Sequence, residues 1–364
     1  MKHNIYSNTK IFGHPDKIAS FRKGVITAPI YVRIKPTNRC MHACHWCVYS
    51  DGHQRPKDRP ELHLQSHMHE SMRERDEMPA EKLRELIDDL ASMGTRAITF
   101  SGGGEPLGYP GIEGFMHLAI SRGLEISVIT NGQALSGRAA QALHGANWVR
   151  VSMDYANAEQ MAASRNVPQR FFDQVIANLR DFAAEKAPAC DLGINFIVTR
   201  ENYHDLFLAA KLLKEVGVEN VRFSPVYCSE FQRYHAPLAE EVENHLAVIQ
   251  GALVDSSFTV NSFYDLASES KKPSHHFARC LYAQTVPVVG ADLNVYACHN
   301  TAYTEHGRLG SLAHRSVRDL WHSEEMKRAQ SALCPAKVCN HECANHAKVA
   351  LFEELASQPT DNFV

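Results

Sequence analysis

Between residues 30 and 225 short apolar runs alternate with amphipathic stretches, and nothing else in the chain narrows its possible folds as much. Runs at 30–35, 97–101, 124–129, 148–152, 192–198 and 220–223 read as strands. Between them, Leu83, Leu86, Ile87 and Leu90 recur at helical spacing, and 114–122, 139–143, 170–184 and 204–216 also read as helices. Six strands separated by helix-length connections predict an α/β chain with a parallel sheet and helices outside it. In parallel barrels the chemistry sits at the C-terminal ends of the strands. Cys40, Glu105, Asn131, Ser152, Asp154 and Cys228 fall at or near such ends.

Directly after the first strand comes Cys40-Met-His-Ala-Cys44-His-Trp-Cys47. Thiolates are soft ligands, and three within one short loop can wrap one face of an iron–sulfur cube. Three protein ligands leave the fourth iron corner open. The plainer alternatives are a zinc knuckle, with His42 or His45 as fourth ligand, or three unrelated core cysteines. The second strand runs into Gly102-Gly103-Gly104-Glu105-Pro106. Glycines after a strand permit close approach of the backbone to a ligand, and the glutamate is suited to receive an ammonium group.

The pairing of CxxxCxxC (Cys40, Cys44, Cys47) with GGEP (Gly103, Gly104, Glu105, Pro106) resembles the radical S-adenosylmethionine (radical SAM) superfamily, over most of the chain. The resemblance implies a partial (β/α)6 TIM-like barrel, in agreement with the independent strand count. It also implies a [4Fe-4S] cluster whose open iron chelates S-adenosylmethionine, with one-electron cleavage yielding a 5′-deoxyadenosyl radical. By the same analogy Gly103, Gly104 and Glu105 hold the methionine amino end. Ser152 and Asp154 meet the ribose, Trp46 lies against adenine, and Arg165 partners the carboxylate. A surface arginine in a loop is the bland reading of Arg165, and a turn cap that of Asn131, which otherwise lines the same cavity.

A second cysteine set follows. Cys280 and Cys298 flank a stretch that reads as a hairpin turning near 290–294, and Cys334, Cys339 and Cys343 come after it. This looks like the small C-terminal auxiliary-cluster module called twitch, or its larger relative SPASM. The expectation is one auxiliary [4Fe-4S] cluster on Cys280, Cys298, Cys339 and Cys343, with Cys334 in place of Cys339 as an open alternative, and structural zinc as the plainer one. The expected organisation is a polar, irregular lead-in at 1–27, the barrel at 28–235, a helical linker at 236–275, the auxiliary module at 276–347, and a C-terminal helix and tail at 348–364. Residues 50–78, rich in His, Arg, Glu and Pro, read as a solvated loop or as a lid over the cluster mouth.

Composition excludes some classes. A formal charge of −3 provides no basic field for a nucleic-acid partner. No apolar run is long enough to span a membrane, and the first residues lack a signal-like apolar region, so a cytoplasmic protein is expected. Ten cysteines in such a chain argue for metal over disulfides.

Two enzymatic outcomes fit. The first is dehydrogenation or epimerisation of a small polar molecule (a sugar, aminocyclitol or nucleoside), with an external one-electron donor of the flavodoxin or ferredoxin type. Cys228, at the last strand's end, would then return a hydrogen atom to the substrate, although a buried apolar cysteine is the commoner case. Cys190 reads as structural. The second outcome is maturation of a ribosomal peptide by crosslinking or epimerisation. A non-enzymatic metal scaffold is the third class, and the GGEP motif argues against it.

Overall fold

A computed structural model of the chain describes residues 7–49, 70–228, 230–264, 277–339, 343 and 345–357. The expected strands form in order: β1 (Tyr31–Ile34), β2 (Ala97–Phe100), β3 (Glu125–Thr130), β4 (Trp148–Ser152), β5 (Asp191–Val198) and β6 (Asn220–Pro225). Each pairs in parallel with the next. The connections carry α2 (Ala80–Met93), α3 (Ile112–Ser121), α4 (Gly137–Leu143), α5 (Ala158–Arg165) with α6 (Arg170–Glu185), and α7 (Leu206–Glu215). The six-unit parallel α/β architecture expected from the sequence is therefore present.

Alternation along β1 sorts its side chains. Val32 and Ile34 are buried in the main apolar core with Leu83, Ile87 and Leu90 of α2. Burying each such side chain contributes about 1.5–3 kcal/mol. Tyr31, Arg33 and Lys35 fall on the opposite face, because successive strand side chains point to opposite sides. Register sets Arg33 beside Thr99 and Thr99 beside Ser127, and the two hydroxyls bond at 2.8 Å. One face of the sheet thus packs helices and the other carries polar groups. Inside β5, Gly193 is required by a neighbour, since a Cβ there would lie 1.7 Å from Arg150 Nη1.

Three expectations about organisation change. The segment 236–275 holds α8 (Ala239–Ala252), but also β7 (Thr259–Ser262), which adds to β6 as a further parallel strand. Its short, half-polar sequence hid it. The C-terminal module does not form a separate sheet. Its strands β8 (Val288–Val289), β9 (Asn294–Tyr296) and β10 (Arg308–Ser311) continue the barrel sheet in the order β10-β9-β8-β1-β2-β3-β4-β5-β6-β7. The expected hairpin is β8–β9, and β8 lies parallel to β1.

The lead-in is not irregular either. Residues Pro15–Lys23 form α1, with Pro15 at its start, Asp16 in its first turn and Gly24 closing it at φ 63°. This helix packs on the C-terminal helix His346–Ser357, with Phe21 and Phe352 rings 5.6 Å apart and Arg22 Nε donating to Leu355 O at 2.9 Å. Together with Leu281 and Val286 they make a second small core beside Cys280. The proposed lid falls mainly on residues 50–69, which lie outside the described residues. Residues 70–78 run back along the loop after β1, where Asn38 N bonds Asp76 O and Met78 N bonds Pro36 O. Among the described residues no helix is long and apolar enough to cross a membrane.

Candidate active site

The loop after β1 has no regular structure of its own and takes its shape from neighbours. The amide of Ala43 donates to Arg165 O at 2.9 Å and that of His45 to Ser164 O at 3.1 Å, which fastens the cysteine loop to the end of α5. That helix was not expected from the sequence. It is short and buries only Met161 among its apolar residues, but its signals are there: Asn157 caps it by accepting from Gln160 N, and Asn166 ends it in the left-handed region at φ 51°. Cys40, Cys44 and Cys47 line one cavity together with Asn38, Tyr49 and Gly103.

The glycine run sits against this loop, and its requirement for glycine is severe. A Cβ on Gly103 would stand 1.8 Å from Asn38 Oδ1, and one on Gly104 would stand 2.0 Å from Arg39 O. At Gly104 the close approach is to the cysteine loop's own backbone, which cannot swing away as the Asn38 side chain beside Gly103 could. Gly104→Ala is expected to lower stability by about 1–3 kcal/mol, as overpacking does. Gly114, in α3 with no heavy atom within 4 Å of its Cβ position, is the control. Gly114→Ala should raise stability by about 0.5–1 kcal/mol, and denaturant titration of both variants reads the contrast.

Glu105 is 2% exposed, and its carboxylate is already bound. Oε1 accepts from Thr130 Oγ1 at 2.6 Å and Leu107 N at 3.0 Å, and Oε2 from Asn131 N at 2.7 Å. Burial pushes this carboxyl up, and those donors pull it back. A carboxylate has about four acceptor positions, so capacity remains for an ammonium group. Asn131 is buried and points its amide at the cysteine loop, donating to Met41 Sδ at 3.2 Å with Cys40 Sγ at 4.0 Å. Its Oδ1 also accepts from Gln133 N, so the cavity-lining and the turn-forming readings both hold geometrically. His42, beside Cys40, bonds through Nε2 to Gln133 Oε1 at 2.7 Å. Burial drops its pKa to about 4.

Arg165 does not take its bland reading as a surface arginine. Far from a surface loop, it is 4% exposed at the end of α5 and joins four expected site residues. Its Nε and Nη2 donate to Asp154 Oδ1 at 3.0 and 2.5 Å, Nη2 also to Ser152 O at 3.1 Å, and Nη1 to Cys44 Sγ at 3.2 Å. The guanidinium lies 5.9 Å from the Trp46 ring, and the Trp46 indole is a further hydrogen-bond donor to Asp154. Burial pushes the Cys44 thiol up to about 12, and Arg165 is the strongest influence drawing it down. Trp46 and Asp154 line a cavity of about 280 Å³ with His45, Gln160, Thr199 and Asn202.

The second set also comes together. Burial pushes the Cys280 thiol up, and Cys298, Cys343 and Cys339 push it further. Cys339 is raised to about 12 by burial, then by Cys298, Cys343 and Cys334. Cys339 ends the short helix Pro335–Val338, and Cys343 precedes the C-terminal one. Cys334 caps that same short helix, so both candidates for the fourth ligand remain near. Among the described residues, no three His, Cys, Asp or Glu side chains converge on a single-ion position. A four-iron cluster instead takes one thiolate per iron, at separated corners. Two cysteines stand apart. Cys190 is buried against Leu143 O, and Cys228 is buried in the apolar core beyond the end of β6.

Comparison with known proteins extends these observations. A family model described as the Radical SAM superfamily matches residues 34–213. The mycofactocin maturase MftC of Mycolicibacterium smegmatis is 25% identical over 338 residues, covering 90% of this chain and 79% of that protein. The PqqA peptide cyclase of Xanthomonas oryzae is 26% identical over 316 residues, covering 82% of this chain and 75% of that protein. Among solved structures, Streptococcus suis SuiB bound to precursor peptide SuiA superposes with a TM-score of 0.63 at 15% identity, over 94% of this chain and 80% of SuiB.

Proposed function

The chain belongs to the radical SAM superfamily, and from that membership we propose that it modifies a peptide by reductive cleavage of S-adenosylmethionine. One observation carries the choice of substrate. Relatives that match it through both the barrel and the C-terminal cysteine module include a maturase and a peptide cyclase. The fold shared with peptide-bound SuiB is consistent with this. The small polar substrate ranked first on sequence alone therefore gives way to the peptide.

Membership implies a [4Fe-4S] cluster and S-adenosylmethionine, and the residues fit them: three thiols on one cavity, a glycine cradle tight against their loop, and a buried cation on Cys44. When bound, the two supply a carbon-centred radical able to remove a hydrogen atom from an unactivated carbon. The protein's part is to position and shield that chemistry. Cys40, Cys44 and Cys47 hold the cluster. Glu105, fixed by Thr130 and Asn131, offers its remaining acceptor capacity to the methionine ammonium. Asp154 orients the Arg165 fork, which steadies Cys44 and presents positive charge beside the carboxylate. Trp46 and Ser152 serve the adenosine, and Cys280, Cys298 and Cys343, with Cys339 or Cys334, hold an auxiliary [4Fe-4S] cluster. An external one-electron donor of the flavodoxin or ferredoxin type supplies the electron.

The test is an anaerobic assay of the reconstituted, reduced enzyme with S-adenosylmethionine. A screen of synthetic ribosomal precursor peptides should find one that raises 5′-deoxyadenosine formation about tenfold or more over the peptide-free rate, as expected where remote substrate binding assembles the reacting geometry. The peptide should also change in mass. Stimulation by sugars, aminocyclitols or nucleosides, with none by any peptide, would return the substrate to the small-molecule class.

A further inference from the structure

Lys35, the residue just beyond β1, plays no part in the account above. It is 1% exposed, on the polar face of the strand with Tyr31 and Arg33. Its ammonium donates to Gly102 O at 2.8 Å and sits 3.6 Å from the centre of the Tyr49 ring, with the Tyr303 ring at 5.4 Å. A cation over an aromatic face is held by the ring quadrupole, more strongly where water is excluded.

Tyr49 explains why this location matters. It lies two residues beyond Cys47, and its hydroxyl donates at 3.3 Å to the carbonyl of His299, the residue after Cys298. The ring beneath Lys35 is therefore a direct tie between the two cysteine loops. Burial, and after it the neighbouring Arg33 guanidinium, press the Lys35 ammonium toward its neutral form, while Cys47, Asp292 and Cys298 favour the charge. The ammonium thus lies over the ring that ties the two thiol loops together.

We propose that Lys35 is a positive charge shared by the two cluster sites, placed on the Tyr49 bridge, that makes both clusters easier to reduce. The inference rests on the two-cluster reading. Its physical basis is that an electron added near a cation in a low-dielectric interior is stabilised far more than in water. Hydrogen bonding and local charge are among the levers by which a protein sets cluster potentials. Lys35 acts here as a positioning residue for charge and takes no part in bond making.

The experiment is an EPR-monitored redox titration of the full chain, reconstituted anaerobically, with iron counted in each sample. Lys35→Gln keeps a donor for the Gly102 carbonyl and removes the charge, and Lys35→Arg keeps the charge. In K35Q both midpoints should fall so that reduction at a fixed donor potential is at least tenfold less favourable, about 59 mV for a one-electron couple. K35R should stay near the parent, and iron content should hold in both. Parental potentials in K35Q, an equal fall in K35R, or a shift confined to one cluster would overturn the proposal. Loss of iron from both variants would overturn it too, by making Lys35 a builder of the site. A parent chain carrying only one cluster's iron and signal would instead overturn the two-cluster reading itself.

Discussion

Cys40→Ala, Cys44→Ala and Cys47→Ala are each expected to reduce 5′-deoxyadenosine formation to background. The three thiols share one cavity, and each would hold a different iron corner. Removing a partner behind a metal ligand commonly costs about 10–100-fold, and loss of a ligand itself should exceed that. Cys190→Ala is the matched control: its buried thiol donates to Leu143 O at 3.8 Å just before the start of β5, and it is not among the residues lining the cysteine cavity. Cleavage measured anaerobically should survive in C190A alone. Normal cleavage in any of the three loop variants would remove that cysteine from the site.

Arg165→Met should be nearly as damaging, for a different reason. It would strand the Asp154 carboxylate, whose side chain is 1% exposed, with its cation gone. Breaking a buried pair from one side costs about 3–5 kcal/mol, mostly the uncompensated charge. The same change removes the guanidinium that donates to Cys44 at 3.2 Å. The double variant D154N/R165M should regain a good part of the stability, because no charge is left stranded, yet not the cleavage activity. Arg165→Lys should fail to restore the parent, since a point charge cannot serve Asp154, Ser152 and Cys44 at once as the planar fork does. Denaturant unfolding of the set tests the ledger; an R165M chain as stable as the parent would show that the pair contributes nothing.

The contrast between these residues shows where sequence is readable. The six parallel strands were legible because buried strands and helical periods are local patterns, as Leu83, Leu86, Ile87 and Leu90 illustrate. Both cysteine sets were legible as spacing. What stayed hidden was set by contacts between distant segments. Arg165 could be named but not placed, because its surroundings come from β4 and the loop after β1. The glycines were read as permitting close approach to a ligand; that they are also crowded by Asn38 and Arg39 of the cysteine loop was not legible. The pairing of β8 with β1, which merges the C-terminal module into the barrel sheet, leaves no trace in either two-to-four-residue strand alone. Nor did Lys35 stand out, a lone lysine at a strand end until Tyr49 and Gly102 closed around it. α1 carried its signals openly, Pro15 at the start and Gly24 at the end, but its polar composition concealed the face that meets Phe352.

The most direct single measurement is made on the parent protein, purified and reconstituted without oxygen: iron per chain, then 5′-deoxyadenosine after reduction with S-adenosylmethionine. Two four-iron clusters predict about eight irons per chain, together with 5′-deoxyadenosine. Tightly bound zinc in place of iron, with no 5′-deoxyadenosine formed, would contradict the account at its centre.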